Sequence, residues 1–305
     1  MSRYKIILNP TAGKGTALKA HALIKDLLTQ YELNYEITFT EYPGHAQELA
    51  LQAAKDRFDY VVAVGGDGTS NEVLNGLMQN RAADGFLPVM GVIPAGRGND
   101  FAFGAGIPVD IQESCAMLAS LPRKWIDIGK ITGGDQPEGL YFGNGVGIGF
   151  DAVVGFVAAR SKLKGMLSYL VAALKTIFIY YKTPSILVKF NNESFTVPAL
   201  MISVMNGRRM GGGFMMAPSA EDTDGKLNLI IVREVPQFSM FGLIVKFMKG
   251  SHEADPAVRT AITDALTATA IKGTLPVHAD GVTICEEGSE VNITLIPRGL
   301  EIISR

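Results

Sequence analysis

The sequence predicts an α/β domain with a parallel-rich sheet and helices on both faces, followed by a mainly antiparallel β-sandwich domain. Three observations predict it. Apolar strands alternate with helix-period segments through the first third of the chain. After Trp125 the texture changes to strand after strand separated by turns. Three turns made of small residues stand where the early strands end. Regular strand–helix alternation is the mark of βαβ units, whereas runs of strands build sandwiches.

The elements follow in order. YKIIL (4–8) reads as the first strand, leading through NPTAGKG to a helix over 16–30. YEITFT (35–40) is the second strand, with a helix near 46–56 after it. YVVAV (60–64) is the third, with a helix from about Ser70, and PVMGVI (88–93) is the fourth. These runs are apolar without alternation, as expected of strands buried on both faces. Beyond a boundary near 121–127, WIDIGKI, LYFGNGVGI, SILVKF, FTVPALMISVM, KLNLIIV, ALTATAIK, VNITLI and LEIIS read as strands. Helical patches interrupt at about 151–181 and 237–250. The expected domains are therefore 1–126 and 127–296.

Composition narrows the classes of function. Of 305 residues, 47% are hydrophobic and 19% charged, enough apolar material for large cores and too much for a disordered chain. A net charge of −2 argues against a nucleic-acid partner held by phosphate contacts. Cys115 and Cys285 have no metal-ligand spacing. They read as buried thiols in a reducing compartment, with a single disulfide left open. MSRYKIILNP is too short an apolar run for a signal peptide and fits a first strand. The most apolar stretch, Gly165 to Tyr181, falls short of the ~20 residues of a membrane span and contains Lys175.

The small-residue turns carry the chemistry. Open α/β sheets bind ligands at the carboxyl ends of their strands. Asn9 to Gly15, Gly65 to Asn71 and Pro94 to Asp100 all fall there, each ahead of a helix or candidate helix. Glycine lets backbone N–H groups approach an anion closely, and a helix N-terminus adds donors and a favourable dipole. Thr69 and Glu72 have the spacing of a capping box. Three such turns on one sheet edge suit a polyphosphate. Familiar nucleotide fingerprints are missing: Gly13-Lys14 is followed by Gly15 rather than Ser or Thr, and Asn71 stands where G-x-G-x-x-G needs its last glycine.

GGDGTSNEVLNGL (65–77), preceded by LNPTAGKG and followed by GVIPAGRGNDFA, resembles the diacylglycerol kinase catalytic domain. More narrowly, the chain is similar to the soluble bacterial lipid kinases of the YegS/BmrU/DgkB type. The likeness continues in family order through YFGNGVGIGFDA, SKLKG, NGRRMGGGFMMAPSAEDTDGKLNLIIV and HADG. The resemblance implies a nucleotide domain and a sandwich domain with the active site in their cleft, and a last strand, about 297–305, that returns to the first domain. It implies transfer of the γ-phosphate of ATP to a lipid alcohol with Mg²⁺. Cytoplasmic localisation, transient contact with a membrane surface, no nucleic-acid partner and room for a homodimer complete the expectation.

Carried over by position, the implied ATP contacts are Asn9, Pro10, Thr11, Ala12, Gly13, Thr40, Gly65, Gly66, Asp67, Gly68, Thr69, Ser70 and Asn71. One further contact falls on Arg97, where the family carries threonine; a guanidinium meets phosphate directly but supplies no small hydroxyl. The implied structural Mg²⁺ site, which also suits Ca²⁺, falls on Glu221, Asp224 and Lys226, the outer two through carbonyls. Asp67 is expected to hold the catalytic Mg²⁺, Asp100 to support it, and Asp280 to orient the acceptor or act as base.

One departure bears on mechanism. The family's Asp-Gly-Glu, whose glutamate serves as base, reads Asp280-Gly281-Val282 here, and Glu286 and Glu287 lie ~12 Å or more further along an extended strand. Slow transfer is expected, because phosphoryl transfer rests mostly on positioning and charge. Two other readings stand beside this one. A nucleotide-binding relative without transfer would explain Val282. NAD kinases and phosphofructokinases share a GGDG turn, but NAD kinases carry an Asn-Glu pair where this chain has Asn206-Gly207.

Overall fold

The computed structural model describes residues 2–159, 165–179 and 181–305. In chain order the elements are β1 (Arg3–Leu8), α1 (Ala12–Gln30), β2 (Asn34–Phe39), α2 (His45–Lys55), β3 (Tyr60–Gly65), α3 (Asp67–Asp84), β4 (Val89–Pro94), α4 (Asp100–Gly104) and α5 (Ile111–Ser120). Then come β5 (Arg123–Gly133), β6 (Gln136–Phe142), β7 (Gly145–Gly149), α6 (Phe150–Ala159), α7 (Gly165–Ile179), β8 (Ser185–Phe190), β9 (Glu193–Met205) and β10 (Leu227–Arg233). The chain finishes with α8 (Ser239–Lys249), β11 (Val258–Thr263), β12 (Ala265–Lys272), β13 (Leu275–Ala279), β14 (Val282–Gly288) and β15 (Glu290–Ile303). Two compact units result: Met1–Ile126 with Arg298–Arg305, and Asp127–Pro297.

The first unit is an open parallel sheet in the order β2-β1-β3-β4, with the end of β15 beside β4 through Ile302 and Met90. Every residue of β3 and β4 is buried. Helices cover both faces of those strands, which is why no polar alternation appears. On one side Leu8, Ile24, Leu28, Val62, Val64, Ile93 and Leu118 form a continuous core. The strand order reverses between β1 and β3, the point where doubly wound sheets open a crevice.

The second unit is antiparallel throughout. One layer runs β14-β13-β7-β9-β10-β11 and the other β9-β8-β12-β15. The long β9 serves both: residues 193–198 pair with β8, and residues from Ala199 to Met205 pair with β7 and β10. Alternation sorts its neighbours. Leu229 and Ile231 of β10 enter the core between the layers, while Ile230 and Val232 face a second core shared with Met240, Leu243 and Phe247 of α8.

Several expectations change in detail. The capping box at Thr69 does not form. The helix begins two residues before Thr69, with Gly66 as its N-cap, and Glu72 instead accepts from the backbone of Gly44 and Ala46 at 3.0 and 3.1 Å. Glu72 thus caps α2 rather than its own helix. The helix expected over 16–30 is preceded by Gly13, Lys14 and Gly15 in left-handed conformation, so its regular part does begin at Thr16. LYFGNGVGI is two strands broken at Gly143-Asn144, and VNITLI and LEIIS are one. The expected helical patch 151–181 is two helices; residues 160–164, which hold most of SKLKG, and 180 lie outside the described residues. Both cysteines are free and buried, which closes the disulfide reading. No described helix is long and apolar enough to cross a membrane.

Candidate active site residues in each unit

In the first unit the three small-residue turns touch one another at the β1/β3 reversal. A Cβ built on Gly96 would stand 2.3 Å from the Cα of Gly66, and one on Gly13 would stand 2.3 Å from the carbonyl oxygen of Ala95. Only glycine allows backbones to meet so closely. Asn9 fastens the first turn. Its amide donates to Thr69 Oγ1 at 3.0 Å, and its Oδ1 accepts from the Thr11 backbone and hydroxyl at 3.0 and 2.8 Å. The backbone of Thr40, a buried residue, donates to Leu8 beside this turn at 2.9 Å.

Asp67 opens α3, where a carboxylate gains from the helix dipole. Its Oδ1 accepts from the Phe101 backbone at 3.0 Å, which joins the second turn to the third. Its Oδ2 and the Oδ2 of buried Asp100 lie 2.9 and 3.2 Å from the point where a side chain on Gly98 would begin. Two hard oxygens facing one small space fit Mg²⁺, which commonly takes one or two carboxylates and completes its shell with water and substrate phosphates. Arg97 sits half-buried on the same turn.

The structure sorts the expected contacts. Asn9, Gly13, Gly65, Gly66, Asp67, Thr69 and Arg97 belong to the touching turns, with Pro10, Thr11, Ala12 and Gly68 within them. Ser70 and Asn71 are buried in α3, and Asn71 Oδ1 accepts from Asn75 at 3.0 Å. The Asn75–Asn71 hydrogen bond ties successive turns of α3.

In the second unit Asp280 is a buried anchor. Its carboxylate accepts backbone N–H groups from Gly143 at 2.7 Å, Asn144 at 3.1 Å and Gly145 at 2.8 Å. Asp280 and Gly281 both have positive φ and form the two-residue turn between β13 and β14, the geometry that Asp-Gly favours in hairpins. Val282 follows on β14, and Glu286 and Glu287 are exposed further along the same strand. Buried Asn206 donates to the carbonyls of Asp127 and Gly143 at 2.9 and 2.8 Å. Sequence reading set Asn206 only against the NAD kinase pair and gave Asn144 and Asp127 no role; an Asn-Gly pair was the local signal of each asparagine.

The segment expected to hold a structural cation precedes β10. Asp224 Oδ1 accepts from the Lys226 backbone at 2.9 Å, and the Gly225 backbone donates to Asp127 Oδ2 at 2.6 Å. Glu221, Asp224 and Lys226 are exposed, and Asp127 ties their turn to the buried network. Among the described residues no three His, Cys, Asp or Glu side chains cluster as a metal site.

A pocket opens in the second unit among α6, α7, α8 and β9. It encloses about 550 Å³, solvent-open space included, and its walls include Val154, Tyr169, Ala173, Met201, Ile244 and Phe247. Asp151 and His278 also line it. Ser203 Oγ donates to Asp151 Oδ2 at 2.7 Å, yet burial pushes the carboxyl up to about 7. Burial pushes His278 down to about 4, and its Nε2 has no hydrogen-bond partner among the described residues. A Cβ on Gly147 would lie 2.5 Å from that Nε2 and 2.6 Å from Asp151 Oδ2, so glycine there lets the two groups share one space.

A doubly wound unit with glycine turns at its strand-order reversal, joined in one chain to an antiparallel sandwich, defines the class of fold. The family is then specific: the chain belongs to the diacylglycerol kinase catalytic domain family, whose model matches residues 3–131, and a YegS C-terminal NAD kinase beta sandwich-like domain matches 144–304. A diacylglycerol kinase of Bacillus subtilis is 31% identical over 84% of this chain and 82% of its own. One from Mycobacterium tuberculosis is 29% identical over 97% of this chain and 93% of its own. A crystal structure of a diacylglycerol kinase from Bacillus anthracis shares the fold with a TM-score of 0.76 at 20% identity, covering 100% of this chain and 97% of the other.

Proposed function

We propose that this protein is an ATP-dependent lipid kinase that transfers the γ-phosphoryl group to the hydroxyl of a lipid alcohol. The observation that carries the reading is the meeting of three glycine turns at the β1/β3 reversal, with Asp67 and Asp100 beside them. Amides of the turns and of the first turn of α3 bind phosphate oxygens, since helix N-termini leave such donors without intrahelical acceptors. Asp67 and Asp100 hold Mg²⁺, which when bound neutralises charge on the phosphates. Arg97 meets a phosphate from the third turn. Asn9 keeps the first turn against Thr69 so that the donors stay convergent.

On the acceptor side, Asp280 acts as a positioning residue, because its carboxylate is engaged by the Gly143–Gly145 backbone. The apolar pocket accommodates hydrocarbon of the acceptor, which supports a lipid over a small polar alcohol. Val282 leaves no glutamate after Asp-Gly, so the transfer is slow. The same residue favours a second reading, a nucleotide-binding relative without transfer. Protein incubated with γ-labelled ATP, Mg²⁺ and a panel of diacylglycerol, glycolipid, sphingoid base and polyprenol separates them. A labelled lipid supports the kinase; nucleotide binding without any labelled lipid supports the second reading.

A further inference from the structure

Three residues stand in a row across the sheet of the second unit: His278 on β13, Gly147 on β7 and Ser203 on β9. Register pairs His278 with Gly147 and Gly147 with Ser203. Their strand neighbours Val277, Ala279, Val146, Ile148, Ile202 and Val204 enter the core between the layers. Alternation therefore turns the row to the opposite face, where the pocket lies. Gly147 adds no side chain, so the middle of the row is open. Asp151, in the first turn of α6, reaches into that opening. It accepts from Ser203 on one oxygen and from the Ala152 backbone on the other, at 2.7 and 2.9 Å. Val154 and Gly155 follow one turn later on the same helix face and line the same pocket.

The histidine is the member of this row left over. It is only 8% exposed, and no group among the described residues pairs with its Nε2. Buried polar atoms are almost always hydrogen-bonded, so a ring nitrogen that faces a pocket without a protein partner points to one that arrives through the pocket. A neutral imidazole donates from one nitrogen and accepts on the other, and a carboxyl beside it accepts or donates with its protonation. A hydroxyl suits such a pair because it donates and accepts at once, whereas an ester oxygen only accepts. Most of the remaining wall is apolar and adaptable: Met201, Met210 and Met216 stand there with Phe214 and Ile244. Unbranched methionine side chains adjust to the varied shape of a hydrocarbon chain. We propose that the pocket seats a hydroxyl of the acceptor lipid on His278 Nε2, beside Asp151, with the hydrocarbon against the methionine wall. The identity of the ligand rests on the lipid-kinase reading; the hydroxyl contact rests on the pocket alone.

The test is calorimetric titration of the full chain, without ATP, with dihexanoylglycerol and with its deoxy analogue, in which hydrogen replaces the free hydroxyl. The unaltered protein should bind the alcohol about tenfold more tightly, the size of one hydrogen bond. His278→Leu should erase that preference by weakening the alcohol alone. His278→Gln, which keeps a hydrogen-bonding head, should retain part of it. A purely structural ring predicts the reverse, a lower melting temperature with an unchanged preference. The leucine variant should melt no lower than the unaltered protein, since it leaves no ring nitrogen unpaired. Should that variant fail to fold, nitrogen-15 spectra of the histidines in the unaltered protein decide. The Nε2 signal of His278 should move with the alcohol and stay with the deoxy analogue. Equal affinity for the two ligands, a preference that survives His278→Leu, or a His278 signal indifferent to the hydroxyl overturns the proposal. So does binding of neither ligand, since water is then the partner of the ring. If neither binds while γ-label still passes to a lipid, the hydroxyl contact falls and the kinase reading stands. If the preference behaves as described and no lipid is labelled, the contact stands and the kinase reading falls.

Discussion

Ser203 Oγ donates to Asp151 Oδ2 at 2.7 Å, and His278 Nε2 reaches the same small space above Gly147 without a hydrogen-bond partner among the described residues. The pair has opposed titration behaviour. Burial raises Asp151 from 3.8 to about 7, so folding favours its protonated form. That stability is complete below the unfolded value and is lost as pH rises towards the folded one. Burial lowers His278 from 6.5 to about 4, so folding favours the neutral ring. That stability is present above the unfolded value and is lost as pH falls towards the folded one. Between about 4 and 6.5 the two slopes cancel. Asp151→Asn should therefore make stability rise with pH across this range, and His278→Asn should make it fall. Each slope is at most about 1.4 kcal/mol per pH unit. Denaturant melts at several pH values check both signs.

Asp67→Asn should reduce label transfer by at least about a hundredfold, because the site loses a charge that faces the phosphates and their cation. The melting temperature should change little, since an amide oxygen still accepts from Phe101. Unchanged turnover would remove Asp67 from the mechanism.

Val282→Glu restores a carboxylate directly after the Asp280-Gly281 turn. A general base contributes roughly 10²–10⁴-fold, so lipid phosphorylation should rise markedly. No rise would favour a role other than transfer, or another base.

Asp280→Ala should destabilise the protein by about 3 kcal/mol or more, because backbone donors from Gly143 to Gly145 lose their shared acceptor inside the fold. Chemical denaturation measures it. A small loss would show that the Gly143–Gly145 turn does not depend on this carboxylate.

Gly98→Ala should weaken Mg²⁺-dependent nucleotide binding, since the added methyl would stand 2.9 Å from Asp67 Oδ2 and 3.2 Å from Asp100 Oδ2. Titration of ATP with and without Mg²⁺ checks it. The loss should appear mainly in the Mg²⁺ arm.

The division into a parallel and an antiparallel part was legible because alternation and apolar runs are averaged over many residues. The turns were legible too, because glycine clusters have few uses at strand ends. Local signals misled where a partner distant in sequence decided the outcome. Thr69 and Glu72 have capping-box spacing, but α2 packs against α3 and its N-terminus takes the glutamate. The hairpin at Asp280-Gly281 carried its own signal in the Asp-Gly pair, as did α5 in Asp110, whose carboxylate caps Gln112 and Glu113 at 2.9 and 3.0 Å. The network of Asn144, Asn206, Asp127 and Asp280 was invisible, because its members come from four separate segments. The Asp151–His278 pair was invisible for the same reason: β7, β9, α6 and β13 bring it together.

A crystal structure with Mg²⁺ and a non-hydrolysable ATP analogue shows whether the three turns hold the triphosphate. Phosphate oxygens are expected against the amides between Gly66 and Thr69 and that of Gly13, with the cation on Asp67 or Asp100. A nucleotide bound elsewhere, or phosphates out of reach of those turns, would contradict it.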